Sequence, residues 1–289
     1  MSGPITAPPL PPGIGSAPNI VSVLQLAKAK GIVMLIHADS GVGKTSLLRT
    51  LPAERTIVYD IDGGVGGLSD PGKPGTPYEG MPPWDGAIVP SMSDLSNLKQ
   101  FVEWVTTAAH KYTTVVIDSA SQMERRMIFL YAGTSEVGIK HYGDAAVASR
   151  KYLFALRDLT AKGVNVIFML HTRTDVKGAE GIKFPALSDK LSREIVGMCD
   201  VVGYLALSAD QVTRTLQFAP SLGITAKSRF NQIRDFENLD LGDIIGRVLG
   251  ARRLPAAPPS LPASTTAAPL PVTSTAAPAA PKPENTKGK

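Results

Sequence analysis

The run Ala38-Asp-Ser-Gly-Val-Gly-Lys-Thr45 brings glycine, lysine and hydroxyl residues together at a spacing suited to binding phosphate. Gly41 and Gly43 let the backbone curl until successive N–H groups point inward at an anion. Lys44 supplies a positive charge for the β- and γ-phosphates of a nucleotide, and Thr45 supplies a hydroxyl ligand for Mg²⁺. The sequence departs from the usual phosphate-loop pattern at its first position, where Ala38 replaces glycine. The simpler interpretation is a glycine turn followed by a lysine. We predict a phosphate loop that contacts a nucleotide through eight residues: Asp39, Ser40, Gly41, Val42, Gly43, Lys44, Thr45 and Ser46.

A carboxylate at the end of an apolar run is the second chemical signal. Asp118 follows Val115-Val-Ile117, which is apolar enough for a buried strand. A carboxylate that faces a phosphate loop from a strand end holds Mg²⁺ through its water shell, so Asp118 and Thr45 are the predicted metal ligands. Many strands end in aspartate, so this signal depends on the phosphate loop that precedes it. The hydroxyl of Ser119 is a candidate for fixing Asp118.

Alternating strands and helices must position these residues. Short continuous apolar runs predict strands at 31–37, 56–60, 112–118 and 164–170, with a later pair at 201–207 and 212–218. Apolar spacings of three and four residues predict helices at 44–51, 95–109, 120–131, 143–162, 188–199 and 240–251. Strands separated by helices indicate an α/β fold with a mostly parallel sheet flanked by helices. The late strand pair is the predicted antiparallel edge hairpin.

Proline content divides the chain into three parts. Residues 1–18 hold six of the 24 prolines and residues 254–289 hold nine, and both segments are poor in charge. Neither segment has the composition to offset its ordering entropy, so we predict that both are disordered. Residues 19–253 form the predicted folded domain. The C-terminal segment is either a solubilising tail or a tether for a partner protein.

Charge, cysteine content and hydropathy exclude several classes of protein. The formal net charge of +5 permits a nucleic-acid partner without demanding one. A single cysteine excludes an intrachain disulfide and favours a reducing, cytoplasmic setting. We expect no membrane partner, because no apolar run reaches the length of a membrane span, and we see no secretory signal.

Four short motifs resemble the RecA-type phosphate-loop ATPase core. They are Asp60-Ile-Asp62-Gly-Gly64, Ile117-Asp-Ser119, Met169-Leu-His171 and Lys227-Ser-Arg229, in this order along the chain. The resemblance implies that Asp62, where the family usually has glutamate, polarises the attacking water. It implies that His171 or Thr172 senses the γ-phosphate of ATP. It also implies that Lys227 and Arg229 reach the γ-phosphate of a neighbouring subunit in a homo-oligomeric ring or filament.

A narrower resemblance covers residues 20–250, roughly. The stretches 32–51, 60–68, 115–119, 163–171 and 198–204 look like the core-only RecA-like ATPases of tailed bacteriophages, often described as AAA or nucleotide-binding proteins. One branch of that group acts in single-strand annealing or recombination. The resemblance implies ATP and Mg²⁺ as cofactors, single-stranded DNA as a partner, and the host cytoplasm as the location. The tail is then a candidate tether for a single-strand DNA-binding protein.

In the RecA-like core, two loops bind single-stranded DNA. The corresponding segments here are 133–144 and 173–189, which place basic residues beside an aromatic ring. The candidate DNA-binding residues are Lys140, His141, Tyr142, Arg173, Lys177 and Lys183. The alternative is a pair of solvated surface loops, and nearby Asp175, Glu180 and Asp189 weaken the positive charge.

Three functions remain open from the sequence. The first is an oligomeric, DNA-stimulated ATPase that anneals single-stranded DNA or exchanges strands. The second is a nucleotide-gated DNA-binding module in which hydrolysis is negligible because of Asp62. The third is a phosphate-loop ATPase or nucleotide kinase that does not act on DNA. A KaiC-like or helicase-like motor shares the Lys-x-Arg pair and also stays open.

Overall fold

The computed structural model describes residues 30–175, 181–208 and 213–253. The predictions for residues 1–18 and 254–289 lie outside the described residues, as does the candidate DNA-binding residue Lys177. Within the described part of the chain, no helix is both long enough and apolar enough to cross a membrane.

The described residues form one sheet of ten strands. The strands are β1 (Val33–Ala38), β2 (Thr56–Asp60), β3 (Ala87–Pro90), β4 (Thr114–Asp118), β5 (Asn165–Asp175), β6 (Ile182–Pro185), β7 (Val201–Leu207), β8 (Arg214–Gln217), β9 (Lys227–Ser228) and β10 (Phe236–Glu237). Their order is β10-β8-β7-β1-β5-β4-β2-β3, with β6 paired to β5 and β9 paired to β7. The strands from β7 to β3 in this order are mutually parallel, and β8 runs antiparallel to β7.

This arrangement confirms the predicted fold class. The central strands β1, β4 and β5 are continuous apolar runs because helices cover both faces of the sheet. The antiparallel pair β7–β8 exists as predicted, although the two-residue strand β10 lies outside it and forms the edge. The register places Ala38 beside His171 and Asp118 beside Met169. The carboxyl ends of β1, β4 and β5 therefore meet at one edge of the sheet.

Five α-helices and four short 3-10 helices connect the strands of the described region. The α-helices are α1 (Ser96–Thr107), α2 (Ala120–Ala132), α3 (Ile139–Arg157), α4 (Asp189–Met198) and α5 (Leu241–Arg253), and the 3-10 helices are Thr45–Thr50, Ala53–Arg55, Gly64–Leu68 and Asp158–Lys162. Helices α1 to α4 pack on one face of the sheet. The first 3-10 helix, which follows the phosphate loop, packs with α5 on the other face.

Two helices differ from the sequence prediction, and the short strands β3, β6, β9 and β10 were not predicted. The helix after the phosphate loop is a short 3-10 helix, because the Thr50 hydroxyl donates to the Leu47 carbonyl at 2.7 Å and Pro52 prevents continuation. Helix α3 begins at Ile139 rather than near residue 143. Its start is fixed by His141, whose Nδ1 accepts a hydrogen bond from the Gly138 amide at 3.0 Å.

Candidate functional site

The phosphate loop lies at the carboxyl end of β1. Gly41 and Gly43 have φ values of 80° and 104°, a region that side chains other than glycine rarely adopt. These two positions explain why the loop needs glycine, whereas Ala38 ends β1 in extended backbone where its methyl group is tolerated. Lys44, directly after Gly43, is buried at the end of the loop.

Asp118 meets the phosphate loop from β4, two strands away. The Thr45 hydroxyl donates to Asp118 Oδ2 at 2.6 Å, and Lys44 Nζ lies 3.9 Å from Oδ1. Burial raises the pKa of Asp118, while Lys44 and Thr45 act in the opposite direction. Among the described groups, none donates a hydrogen bond to the buried Oδ1 atom. A hydroxyl and an under-coordinated carboxylate are hard oxygen ligands, so Thr45 and Asp118 fit a Mg²⁺ ion.

Asp62 lies beside this pair and is held by two hydrogen bonds. Ser119 donates to Oδ1 at 3.0 Å, and His171 Nε2 lies 3.0 Å from Oδ2. Burial alone would raise the pKa of Asp62, but these hydrogen bonds and the charges of His171 and Lys44 hold it below its usual value. The carboxylate is therefore ionised at neutral pH and is able to orient a water molecule or accept its proton.

Of the two residues predicted to sense the γ-phosphate, His171 is the one that reaches Asp62, whereas the Thr172 hydroxyl lies 3.0 Å from His37 Nδ1. Which of the two senses a phosphate stays a prediction. The expectation that Ser119 fixes Asp118 is wrong, because the Ser119 hydroxyl bonds to Asp62 instead. Ser119 caps the amino terminus of α2, and Asp62, two residues after the end of β2, lies beside that terminus.

Backbone contacts lock these strand ends together. The amides of Ile61 and Asp62 donate to the Asp118 carbonyl at 2.6 and 3.2 Å. Arg126 of α2 donates to the Ile61 carbonyl at 2.5 Å, and the His171 amide donates to the Ser121 hydroxyl at 3.0 Å. The carboxylates and the histidine are thus placed by the ends of β2, β4 and β5 and by the first turns of α2.

Lys183 lies at the phosphate loop rather than in a separate DNA-binding loop. Its Nζ donates to Asp39 Oδ2 at 2.6 Å and to the Tyr204 hydroxyl at 2.7 Å. His37 packs beneath this group, with its ring 5.1 Å from that of Tyr204 and its Nε2 2.8 Å from the Thr225 carbonyl. Lys183 therefore contacts the phosphate loop through Asp39, and its assignment to DNA stays a prediction.

Among the described residues, the other candidates for DNA binding lie on regular elements rather than in loops. Lys140, His141 and Tyr142 are the first turn of α3, because the helix begins four residues earlier than predicted. Arg173 lies on β5 and forms an ion pair with Asp189 at the start of α4.

Lys227 and Arg229 lie at the opposite end of the sheet from the phosphate loop. Lys227 Nζ donates to the Gly197 carbonyl at 3.1 Å, and Arg229 pairs with Asp200 at 3.2 Å. Asp200 in turn accepts from the amide of Val33, the first residue of β1. These two cations are therefore too far along β1 to contact a phosphate bound by the same chain.

Sequence analysis missed a slot beside the phosphate loop. The slot has a volume of about 230 Å³ and lies between Gly43, Ser46 and the segment 64–78. Arg214 of β8 lines it and donates from Nε to the Val42 carbonyl at 2.7 Å. Tyr78 also lines it, and within the described residues its buried hydroxyl has no hydrogen-bond partner. The sequence does not indicate Tyr78, because it lies in a segment (62–90) rich in proline and glycine. It does not indicate Arg214 either, because a single arginine on a strand forms no motif.

Arg49 holds the outer wall of this slot. Its guanidinium donates to the carbonyls of Gly67, Asp70 and Pro82 at 2.8, 2.7 and 3.2 Å. A segment rich in glycine and proline is thereby fixed against the 3-10 helix Thr45–Thr50.

Comparisons with known proteins place this geometry in a family. The crystal structure of the RadB recombinase is similar to this chain with a TM-score of 0.43 and 15% sequence identity, over 65% of this chain and 80% of that one. No curated protein matches the chain significantly. The family model described as an AAA domain matches residues 30–230, which include the phosphate loop, Asp62, Asp118 and His171. This match covers more than half of the chain, and the chain belongs to the AAA domain family.

Proposed function

We propose that this protein binds Mg-ATP in the phosphate loop and hydrolyses it. The observation that carries the proposal is the convergence of Lys44, Thr45 and Asp118, with the paired Asp62 and His171 beside them. A nucleotide-binding AAA domain is the class of protein in which this constellation is expected.

Each residue has a distinct role in the proposed reaction. Lys44 and the inward amides of the glycine-curled loop bind the phosphates. Thr45 and Asp118 hold Mg²⁺, which neutralises phosphate charge when it is bound. Asp62 orients the attacking water and accepts its proton, and His171 fixes the Asp62 carboxylate through Nε2.

We further propose that the protein acts on single-stranded DNA as an oligomer, in annealing or strand exchange. The support is the sequence resemblance to phage RecA-like ATPases, together with the position of Lys227 and Arg229. Because these cations lie far from the phosphate loop of their own chain, the phosphate that they would contact is that of a neighbouring subunit, and Arg229 would then exchange Asp200 for it.

A second candidate function is a nucleotide-gated module with negligible hydrolysis. It is favoured by one observation, which is that both oxygens of Asp62 already accept hydrogen bonds from Ser119 and His171. A short aspartate engaged at both oxygens has fewer lone pairs to offer a water molecule than a free glutamate has.

ATP hydrolysis with and without single-stranded DNA tests the proposal. We expect DNA-stimulated hydrolysis that is lost in Lys44→Ala and retained in Lys99→Ala, which removes an exposed lysine of α1. Hydrolysis indifferent to DNA would contradict the role in recombination and favour an ATPase or kinase without DNA. ATP binding and ATP-dependent DNA binding without hydrolysis would favour the gated module. Absence of ATP binding would contradict the whole proposal.

A further inference from the structure

Exposed apolar side chains are concentrated in one segment of the described chain, around the connection between α2 and α3. Seven of the twelve large apolar side chains that are exposed lie between residues 129 and 147. They are Phe129, Leu130, Tyr131, Val137, Ile139, Tyr142 and Val147. Single exposed apolar residues are ordinary, but several on one face of a helix mark an interaction surface.

The amino-terminal half of α3 carries an apolar stripe that no element of the described chain covers. Ile139, Tyr142 and Gly143, and Ala146 and Val147 follow the spacing of a helix face that is normally buried. Ile139 is 93% exposed and Val147 is 70% exposed. The stripe thus has the residue pattern of a core-facing helix and the exposure of a surface helix.

Beside the stripe, α3 and α4 form a shallow groove of about 390 Å³. Ala146 and Leu191 line it, and the ion pair between Arg150 and Glu194, 3.0 Å apart, closes one end. A Cβ atom added at Gly143 would have no neighbouring atom within 4 Å. Gly143 therefore leaves a flat point on the helix between the side chains of Ile139 and Val147, where another backbone is able to approach closely.

We propose that this stripe is a two-fold contact between two copies of the chain, with the α3 helices packed antiparallel across Gly143. In such a contact, Ile139 of each copy enters the groove beside Val147 of the other. A two-fold axis makes the same contact twice, so a ridge and a groove on one surface are complementary to themselves. The contact is independent of the proposed nucleotide binding and differs from the end of the sheet that carries Lys227 and Arg229.

Charge around the stripe favours a second copy over nucleic acid. Next to the stripe, Lys140 is opposed by Glu136 and Asp144. Arg150, Lys190 and Glu194 line the groove, and the three positive and three negative charges leave no excess of positive charge to attract phosphates. Lys140 and Asp144 are exposed and lie one helical turn apart. In an antiparallel pair of α3 helices, the lysine of each copy faces the aspartate end of the other.

The oligomeric mass of the full chain without nucleotide tests the contact. By sedimentation, we expect two chains in the smallest stable species, and an Ile139→Asp or Val147→Glu change should raise its dissociation constant about tenfold or more. Leu222→Asp is the matched control, because Leu222 is 89% exposed on a turn outside the patch and its change should leave the mass unaltered. A monomeric wild-type chain, or Ile139→Asp and Val147→Glu variants with unaltered mass, would overturn the proposal.

Disulfide trapping provides a second readout. Cys199 is buried, so a Gly143→Cys chain has one accessible thiol close to the proposed axis. Mild oxidation should convert most of this variant to a covalent dimer, whereas Leu222→Cys should stay monomeric under the same conditions. Equal crosslinking of the two variants would overturn the contact. So would an Ile139→Asp variant that binds single-stranded DNA more weakly at unchanged mass, because the surface would then serve nucleic acid.

Discussion

The phosphate loop and the segments assigned to DNA differ in how their residues are held. At the phosphate loop, the neighbours Lys44 and Thr45 lie within ion-pairing and hydrogen-bonding distance of Asp118, which comes 73 residues after Thr45. The DNA-binding candidates disperse instead, with Lys140 on α3, Arg173 paired to Asp189, and Lys183 bound to Asp39. A site defined by backbone geometry is found in the structure where the sequence predicts it. Basic residues predicted to share a loop instead form hydrogen bonds and ion pairs with separate neighbours, which the sequence does not reveal.

The largest expected effect at the convergent region comes from Asp118→Asn. We expect ATP hydrolysis to fall about 100-fold or more, because a neutral amide is a poor Mg²⁺ ligand. We expect the urea midpoint without nucleotide to stay equal or rise, because burial disfavours the Asp118 charge. Hydrolysis assays and urea unfolding measure the two effects. Hydrolysis within threefold of wild type would contradict the assignment of Asp118 as a metal ligand.

The next largest effect is on stability and comes from His37, which packs beneath the ion pair of Asp39 and Lys183. Burial lowers the pKa of His37 from 6.5 to about 4, so the folded state keeps the ring neutral where the unfolded chain binds a proton. The contribution of the neutral His37 to the free energy of unfolding is therefore fully present above pH 6.5. It declines as the pH falls toward 4, by about 3 kcal/mol in total.

Urea unfolding between pH 7.5 and pH 4 measures this decline. His37→Gln keeps groups able to bond to Thr172 and the Thr225 carbonyl but does not titrate, so its stability should fall less over the same range. Parallel pH profiles for the wild type and the variant would contradict a neutral, buried His37.

The two regions also differ in what the sequence alone can predict. Gly41, Gly43 and Lys44 follow from a local rule, and Asp118 follows from the end of an apolar strand. Lys183 and Asp39 are 144 residues apart and meet only because β6 folds back over β1, which no spacing reveals. The start of α3 was missed for a related reason. Gly138 and Gly143 suggest a loop, while the capping contact of His141 that extends the helix is visible only in three dimensions.

The slot lined by Tyr78 and Arg214 allows binding of the nucleoside to be tested separately from binding of the phosphates. We expect Tyr78→Phe to weaken ATP binding by about fivefold, because the variant lacks the buried hydroxyl that would bond to the nucleoside. Binding of inorganic tripolyphosphate should not change, because the phosphate loop is untouched. Calorimetric titration with both ligands measures the difference, and Lys44→Ala should weaken both. Equal affinity of wild type and Tyr78→Phe for ATP would place the nucleoside elsewhere.

The smallest expected effect separates Lys183 from Arg173, the two described basic residues of the second segment. Lys183→Met frees Asp39 beside the phosphate loop, and an unpaired carboxylate there repels the incoming triphosphate. We expect an increase of about threefold in the KM for ATP with kcat nearly unchanged, and Asp39→Asn should restore the KM in the double variant. Arg173→Met removes a cation that is paired to Asp189 away from the loop, so its KM should equal that of wild type. If instead both variants lose affinity for single-stranded DNA and neither changes the KM, the second segment is a DNA-binding surface after all, and the contrast between the two regions disappears.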